Sequence, residues 1–311
     1  MVDGRRIPRR WKVVLWIVGA VVVGVGGVVL ALVLSNPSLS VDLASDVSTR
    51  DIPASWLSSD RSTVEPPDAQ AVEVSSGTIA PRATTGRLAL LANGRPFGEE
   101  AYELRIAEEG VTLTSSGRFW FKVVLATVQV TFEQTLEADG DLRPATYVAE
   151  FHAPLGFDRS IRATLAGDRL LVERSGEREE IRIEAERTFT LGTFSTYVLL
   201  PHLFALHQDN GSASFEVLVF GGPPSQEVGA ATDTLPTMTV ESLGGGRLRA
   251  GNLVLDVDRY RVSSPLGESE LYARGNEFLA LRAGDEGNSL WVYRSDFFPN
   301  GIEIVSEAPL P

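Results

Sequence analysis

The sequence predicts a mainly β protein, a large antiparallel sheet or a barrel, broken by one apolar helical segment and preceded by one transmembrane helix. Three observations carry this expectation. From residue 86 onward, short runs of alternating polarity recur at about ten-residue intervals, separated by turn residues. Residues 193–208 (TFSTYVLLPHLFALHQ) break that rhythm with apolar side chains near helical spacing. Residues 13–34 (VVLWIVGAVVVGVGGVVLALVL) form 22 positions without a charge. As a helix they would reach about 33 Å, enough to cross a hydrocarbon layer of about 30 Å.

Taken in order, residues 1–12 are a basic cytoplasmic tail. Arg5, Arg6, Arg9, Arg10 and Lys12 outweigh Asp3, and no positive charge directly follows the span. That asymmetry keeps the N-terminus inside and places the C-terminal bulk outside. The run is too long for the core of a cleaved signal peptide and lacks a good small-x-small site, which favours an uncleaved signal anchor. Ala20, Gly24, Gly27 and Ala31 make a small-residue stripe where two such helices can approach closely as a homodimer. Residues 35–85 are rich in Ser, Pro, Asp, Thr and Ala and almost free of aromatics. They read as an extended stalk, because too little apolar surface is available to offset ordering entropy.

The extracytoplasmic domain is expected over 86–311. Its first strands fall at 88–91, closed by Asn93-Gly94, then 101–107 and 111–115, closed by Ser116-Gly117. Residues 118–133 are long for one strand and suggest a bulged or bent pair. Strands at 147–153, 160–165, 169–173 and 180–185 follow. Pro201 sits near the start of the helical segment or kinks it, and Asn210-Gly211 ends it. Strands then return at 214–220, 237–242, 247–250, 252–257, 259–263, 268–273, 278–283, 289–295 and 302–305.

The net charge of −13 divides unevenly: residues 1–34 carry +4, so the remainder carries −17. Such an acidic domain does not hold nucleic acid by bulk charge. The absence of cysteine removes disulfides, thiolate nucleophiles and cysteine-ligated metals. The only histidines are His152, His202 and His207; the last two are five apart, unlike the i, i+4 pair of a zinc helix, and suit the polar edges of the buried segment. No nucleophile elbow, S-x-x-K or phosphate loop occurs in the extracytoplasmic part. Glu99-Glu100, Glu108-Glu109 and Glu179-Glu180 fall where solvated strand ends or turns are expected, and Asp139, Asp141, Asp209 and Asn210 suit turns. No catalytic residue, metal site or cofactor is therefore expected.

The segments GEEAYEL at 98–104, LTSSG at 113–117, VTFEQTL at 130–136, LRPATYVAEF at 142–151 and YVLLPHLFA at 197–205 together resemble the LolA/LolB-like bacterial envelope domains, among their members of unknown function. The resemblance covers residues 86–311 and implies a strongly curved sheet, a β-clam or half-barrel, with the helical segment as a lid over an apolar cavity for acyl chains. It also implies a bacterial cytoplasmic-membrane setting. A carrier must diffuse, whereas this chain reads as tethered, so short-range capture or hand-off fits better than shuttling. Candidate lining residues are Phe119, Phe121, Phe132, Phe151, Phe157, Phe194, Leu200, Phe204 and Trp291. Two functions follow. One is a non-catalytic binding module for a lipid or lipoprotein acyl chain. The other is a structural or protein-interaction domain of the envelope with a filled core. A hydrolase would need His152 or His202 beside a carboxylate in a pocket.

Overall fold

The computed structural model describes residues 82–123, 126–154, 158–174, 176–183, 187–220, 235–250, 253–285 and 288–306. The expected tail, the span with its small-residue stripe, the stalk up to residue 81, and Phe157 lie outside them. No helix among the described residues is long and apolar enough to cross a membrane.

A single sheet of sixteen described strands makes the domain. Eight run in sequence as a meander: β1 (Arg82–Ala92), β2 (Arg95–Ala107), β3 (Gly110–Val123), β4 (Ala126–Asp139), β5 (Pro144–His152), β6 (Arg159–Ala166), β7 (Arg169–Arg174) and β8 (Glu177–Arg182). The chain then forms β9 (Thr188–Leu191), a 3₁₀ helix (Phe194–Leu199), helix α1 (Leu200–His207) and β10 (Ser212–Val219). The second meander comprises β11 (Thr237–Ala250), β12 (Leu253–Ser264), β13 (Gly267–Arg274), β14 (Glu277–Asp285) and β15 (Asn288–Arg294). The two halves join where β15 pairs antiparallel with β1, and β16 (Glu303–Ser306) pairs with β11. The curved sheet expected from the sequence is therefore present, and large.

One pairing explains the helical segment. β9 and β10 are parallel, whereas every other pair of described strands is antiparallel. Two parallel neighbours cannot be joined by a hairpin, so the connection must cross a sheet face. Here the crossover is the 3₁₀ helix and α1, which contact β2, β9, β10 and β14. Residues 194–204 are all buried, which is why the segment is apolar on nearly every face. Pro201 sits in the first turn of α1, where its missing N–H has no acceptor to lose.

The turns follow the sequence closely at Asn93 and Gly94, whose φ values of 52° and 75° suit a two-residue hairpin. The Asn93 side chain also accepts the Ser289 N–H at 2.8 Å, tying the hairpin to β15. Two breaks expected at glycines are instead continuous strand. Ser116-Gly117 does not end a strand; β3 runs through it, and the Phe132 ring lies across Gly117, 2.7 Å from where a Cβ would stand. Likewise Gly244-Gly245-Gly246 lies within β11, with a bulge between Ser242 and Gly244, and the Arg259 side chain crosses Gly246. In both places glycine makes room for a neighbour's side chain. The long run 118–133 divides between β3 and β4, which pair antiparallel from Val123↔Ala126 onward.

Two apolar clusters form, one on each side of the central strands. The main one gathers the inward residues of β1–β7 and the second meander with the crossover segment. The smaller one joins Ala89, Leu248, Leu255, Tyr272, Leu279 and Tyr293 to Phe298 and the C-terminal residues Ile302 and Ile304. Leu88 and Leu90 point to the first, Ala89 and Leu91 to the second. Burial on both faces is why LALLA in β1 does not alternate in polarity.

Candidate functional site

The crossover segment enters the interior at Thr193, and a buried polar network receives it. Glu100 of β2 is 1% exposed and shares its face with Tyr102, Leu104 and Ile106. Its carboxyl accepts from the Ser115 hydroxyl at 2.7 Å, from the Thr193 hydroxyl, and from the Ser195 backbone N–H at 3.1 Å. Gln134 of β4 continues the network. Its amide donates to Ser195 Oγ at 2.8 Å, and its carbonyl accepts from the Thr193 N–H and from the Tyr147 hydroxyl, each at 3.1 Å. Burial pushes the Glu100 carboxyl above its usual range, against the opposing pull of its hydrogen bonds from Ser195, Thr193 and Ser115. This network fastens one end of the crossover segment to four strands.

Directly beside it lies an aromatic cluster. Phe119 stacks on Phe132 at 4.9 Å between centroids and on Phe97 at 6.4 Å, and Phe194 meets both Phe97 and Phe119 edge-on. Phe151 joins through Phe132 at 6.0 Å. At the far end of the segment, Phe204 packs edge-on against Tyr260 at 4.8 Å, and Leu200 is buried. The returning edge closes by stacking Phe220 on Tyr147 at 4.8 Å, where β9 comes against β5.

No family model matches the chain, and no curated protein matches it by sequence. The LolA/LolB-like resemblance is thus without a family match. Among solved structures the chain is similar to a β-barrel-like protein of the domain of unknown function DUF1849 from Brucella abortus. The identity is 11%, the TM-score 0.44, and the alignment covers 74% of this chain and 99% of that one. It is also similar to a DUF1089 family protein from Pseudomonas aeruginosa, at 13% identity and TM-score 0.36, over 58% of this chain and 86% of the other. Likeness at this level carries no functional argument.

Of the residues expected to line a cavity, the structure brings Phe119, Phe132, Phe151 and Phe194 together, with Leu200 and Phe204 farther along the same segment. Phe121 lies on β3. Trp291 belongs elsewhere: it stacks on Tyr272 at 6.2 Å beside the smaller cluster, with the Arg282 guanidinium 5.7 Å from its ring. Phe97 and the entire Glu100 network escaped the sequence reading. Glu100 looked like half of a solvated pair, yet it stands mid-strand at the same parity as Tyr102, Leu104 and Ile106. That two-residue period was the available signal.

His202 also differs from expectation. It is 4% exposed rather than at a polar edge, and burial lowers its pKa to about 4. Its Nδ1 has no hydrogen-bond partner. His152 stands 3.4 Å from Asp158, but both side chains are more than half exposed, and no hydroxyl is bonded to His152 among the described residues. His152 borders a groove of about 550 Å³ lined also by Arg87, Glu99, Arg118, Gln129 and Glu133, with Leu88, Glu100 and Phe132. That groove mixes apolar surface with charges of both signs, with Arg118 paired to Glu99 and set 5.0 Å from the Trp120 ring. Among the described residues no cluster of three metal-ligating side chains occurs.

Proposed function

We propose that the domain is a non-catalytic binding module for an apolar ligand, such as a lipid or a lipoprotein acyl chain. Residues 13–34 would anchor it in the bacterial cytoplasmic membrane, facing out. The observation that carries the reading is the crossover segment: Phe194 to Phe204 are buried residue for residue over an aromatic interior, while a compact polar network holds the segment at its entry. The segment takes part in no strand pairing, so it can lift, releasing that network, without unmaking the sheet beneath. Apolar burial of about 25 cal/mol per Å² would supply affinity, and a ligand at a hundred times its Kd would stabilise the fold by about 2.7 kcal/mol.

The test is native mass spectrometry and lipid extraction on the full chain purified from bacterial membranes. A co-purifying acyl lipid, lost in Phe204→Asp, supports the module. A clean protein mass with no thermal shift on adding lipids overturns it. The second reading, a filled-core domain that binds another envelope protein, draws on the close stacking of Phe119 on Phe132. Cross-linking in whole cells to a discrete partner, without bound lipid, would favour it.

A further inference from the structure

The interior has two chemically different ends, and the sheet register sets them side by side. Leu88, Glu100, Gly117, Phe132 and Phe151 form one cross-strand row. Tyr102, Ser115, Gln134 and Ala149 form the next. Glu100 therefore sits at a seam, with hydroxyl and amide groups on one side and the Phe132 and Phe119 rings on the other. It is the one carboxylate among the described buried residues.

Every group presented to Glu100 is a donor. Ser115 belongs to the sheet, whereas the Thr193 hydroxyl and the Ser195 N–H belong to the entry of the crossover segment. If the segment lifts to admit a ligand, the carboxyl keeps Ser115 and loses the other two donors in a dry, aromatic-walled place. A buried acceptor left unmatched costs about 1–3 kcal/mol, more when charged. The occupant must replace what leaves in kind. An apolar chain ending in a hydroxyl or amide N–H does so. A chain ending in a carboxylate would have to share a proton with Glu100 or bury a second charge beside it.

We propose that this interior selects single-chain amphiphiles whose head donates hydrogen bonds over those whose head is a carboxylate, with Glu100 as the group that distinguishes them. The inference rests on the apolar-ligand reading above and deepens it. Sites built around a polar partner reject analogues lacking it far more strongly than apolar pockets reject a missing methylene.

The test compares monooleoylglycerol with oleate, which share one acyl chain, for retention by the immobilised full chain in detergent at pH 8. Eluted lipid is quantified by mass spectrometry. Monooleoylglycerol retained at least tenfold over oleate is the expected result. Glu100→Gln, whose amide adds a donor, should narrow the ratio by admitting oleate; Ser115→Ala, a milder change, should weaken monooleoylglycerol retention. Equal retention, or preference for oleate, overturns the selectivity and leaves the apolar-ligand reading standing. Retention of neither lipid overturns that reading, and the selectivity with it. A folded Glu100→Gln protein with unchanged ratio removes Glu100 from the role. The wild-type comparison decides the selectivity whether or not the variant folds.

Discussion

Thr193 and Glu100 lie 93 positions apart and share a hydrogen bond in the protein interior, from the threonine hydroxyl to the carboxyl. The bond joins the entry of the only described parallel crossover to the second strand of the first meander. Through it, the entry of the covering segment is tied to a buried ionisable group.

Burial raises the Glu100 pKa above its ordinary 4.5, so the folded chain holds this proton more tightly than the unfolded chain. The resulting stability is complete below the unfolded value and is lost as pH rises through the folded one. Glu100→Gln does not titrate. Its melting temperature relative to wild type should therefore climb between pH 4.5 and pH 8; a constant offset across that range contradicts the account. Glu100→Ala should lower stability at every pH, by roughly 1–3 kcal/mol for each donor stranded.

His202 bears on the opposite limb. Its folded pKa of about 4 lies below the ordinary 6.5, so its contribution is present above 6.5 and lost as pH falls toward 4. The loss is on the order of 2–3 kcal/mol. His202→Leu removes both this titration and the unpartnered Nδ1. Urea unfolding at pH 7 and pH 4.5 should show a smaller gap for the variant than for wild type. An equal gap would place the acid sensitivity elsewhere.

Arg294 is a buried cation that makes four hydrogen bonds. It donates to Asp296 at 2.6 and 2.8 Å, to Glu277 at 3.2 Å and to the Thr85 carbonyl at 3.3 Å, while its guanidinium lies 4.0 Å from the Phe297 ring. Arg294→Met strands two carboxylates and should cost about 3 kcal/mol in urea unfolding. Arg294→Lys should recover little of it, because an ammonium does not reproduce the planar fork. Near-complete rescue by lysine would show that charge alone matters there.

Gly117 tests the fit of ring to strand. A Cβ there would press on the Glu99 carbonyl oxygen and stand 2.7 Å from the Phe132 ring. Gly117→Ala should destabilise by about 1–3 kcal/mol. The neighbouring exposed Ser116→Ala should stay within about 0.5 kcal/mol. Equal melting temperatures for the two would disprove the close approach.

Much of the fold was legible because local chemistry repeats. Alternating polarity marked nearly every strand, Asn93-Gly94 marked its turn, and apolar side chains on nearly every face marked the segment at 193–208 as buried, which holds for 194–204. Glycine misled at positions 117 and 246, where its role is to accommodate a ring and an arginine from another strand rather than to turn the chain. The aromatic residues of the interior were recognisable as a set, but Trp291 was not separable from them, since the central strands bury apolar side chains on both faces.

By itself the sequence determined that this is a β-rich domain with one apolar helical interruption, behind a segment long and apolar enough to span a bilayer. Those properties depend on composition and periodicity over neighbouring residues. Only the tertiary structure decided that β9 and β10 run parallel, that the interruption is their crossover, and that Glu100 lies beneath it. Register across strands far apart in the chain sets which side chains share a row, and whether a glutamate meets water or three donors depends on that register.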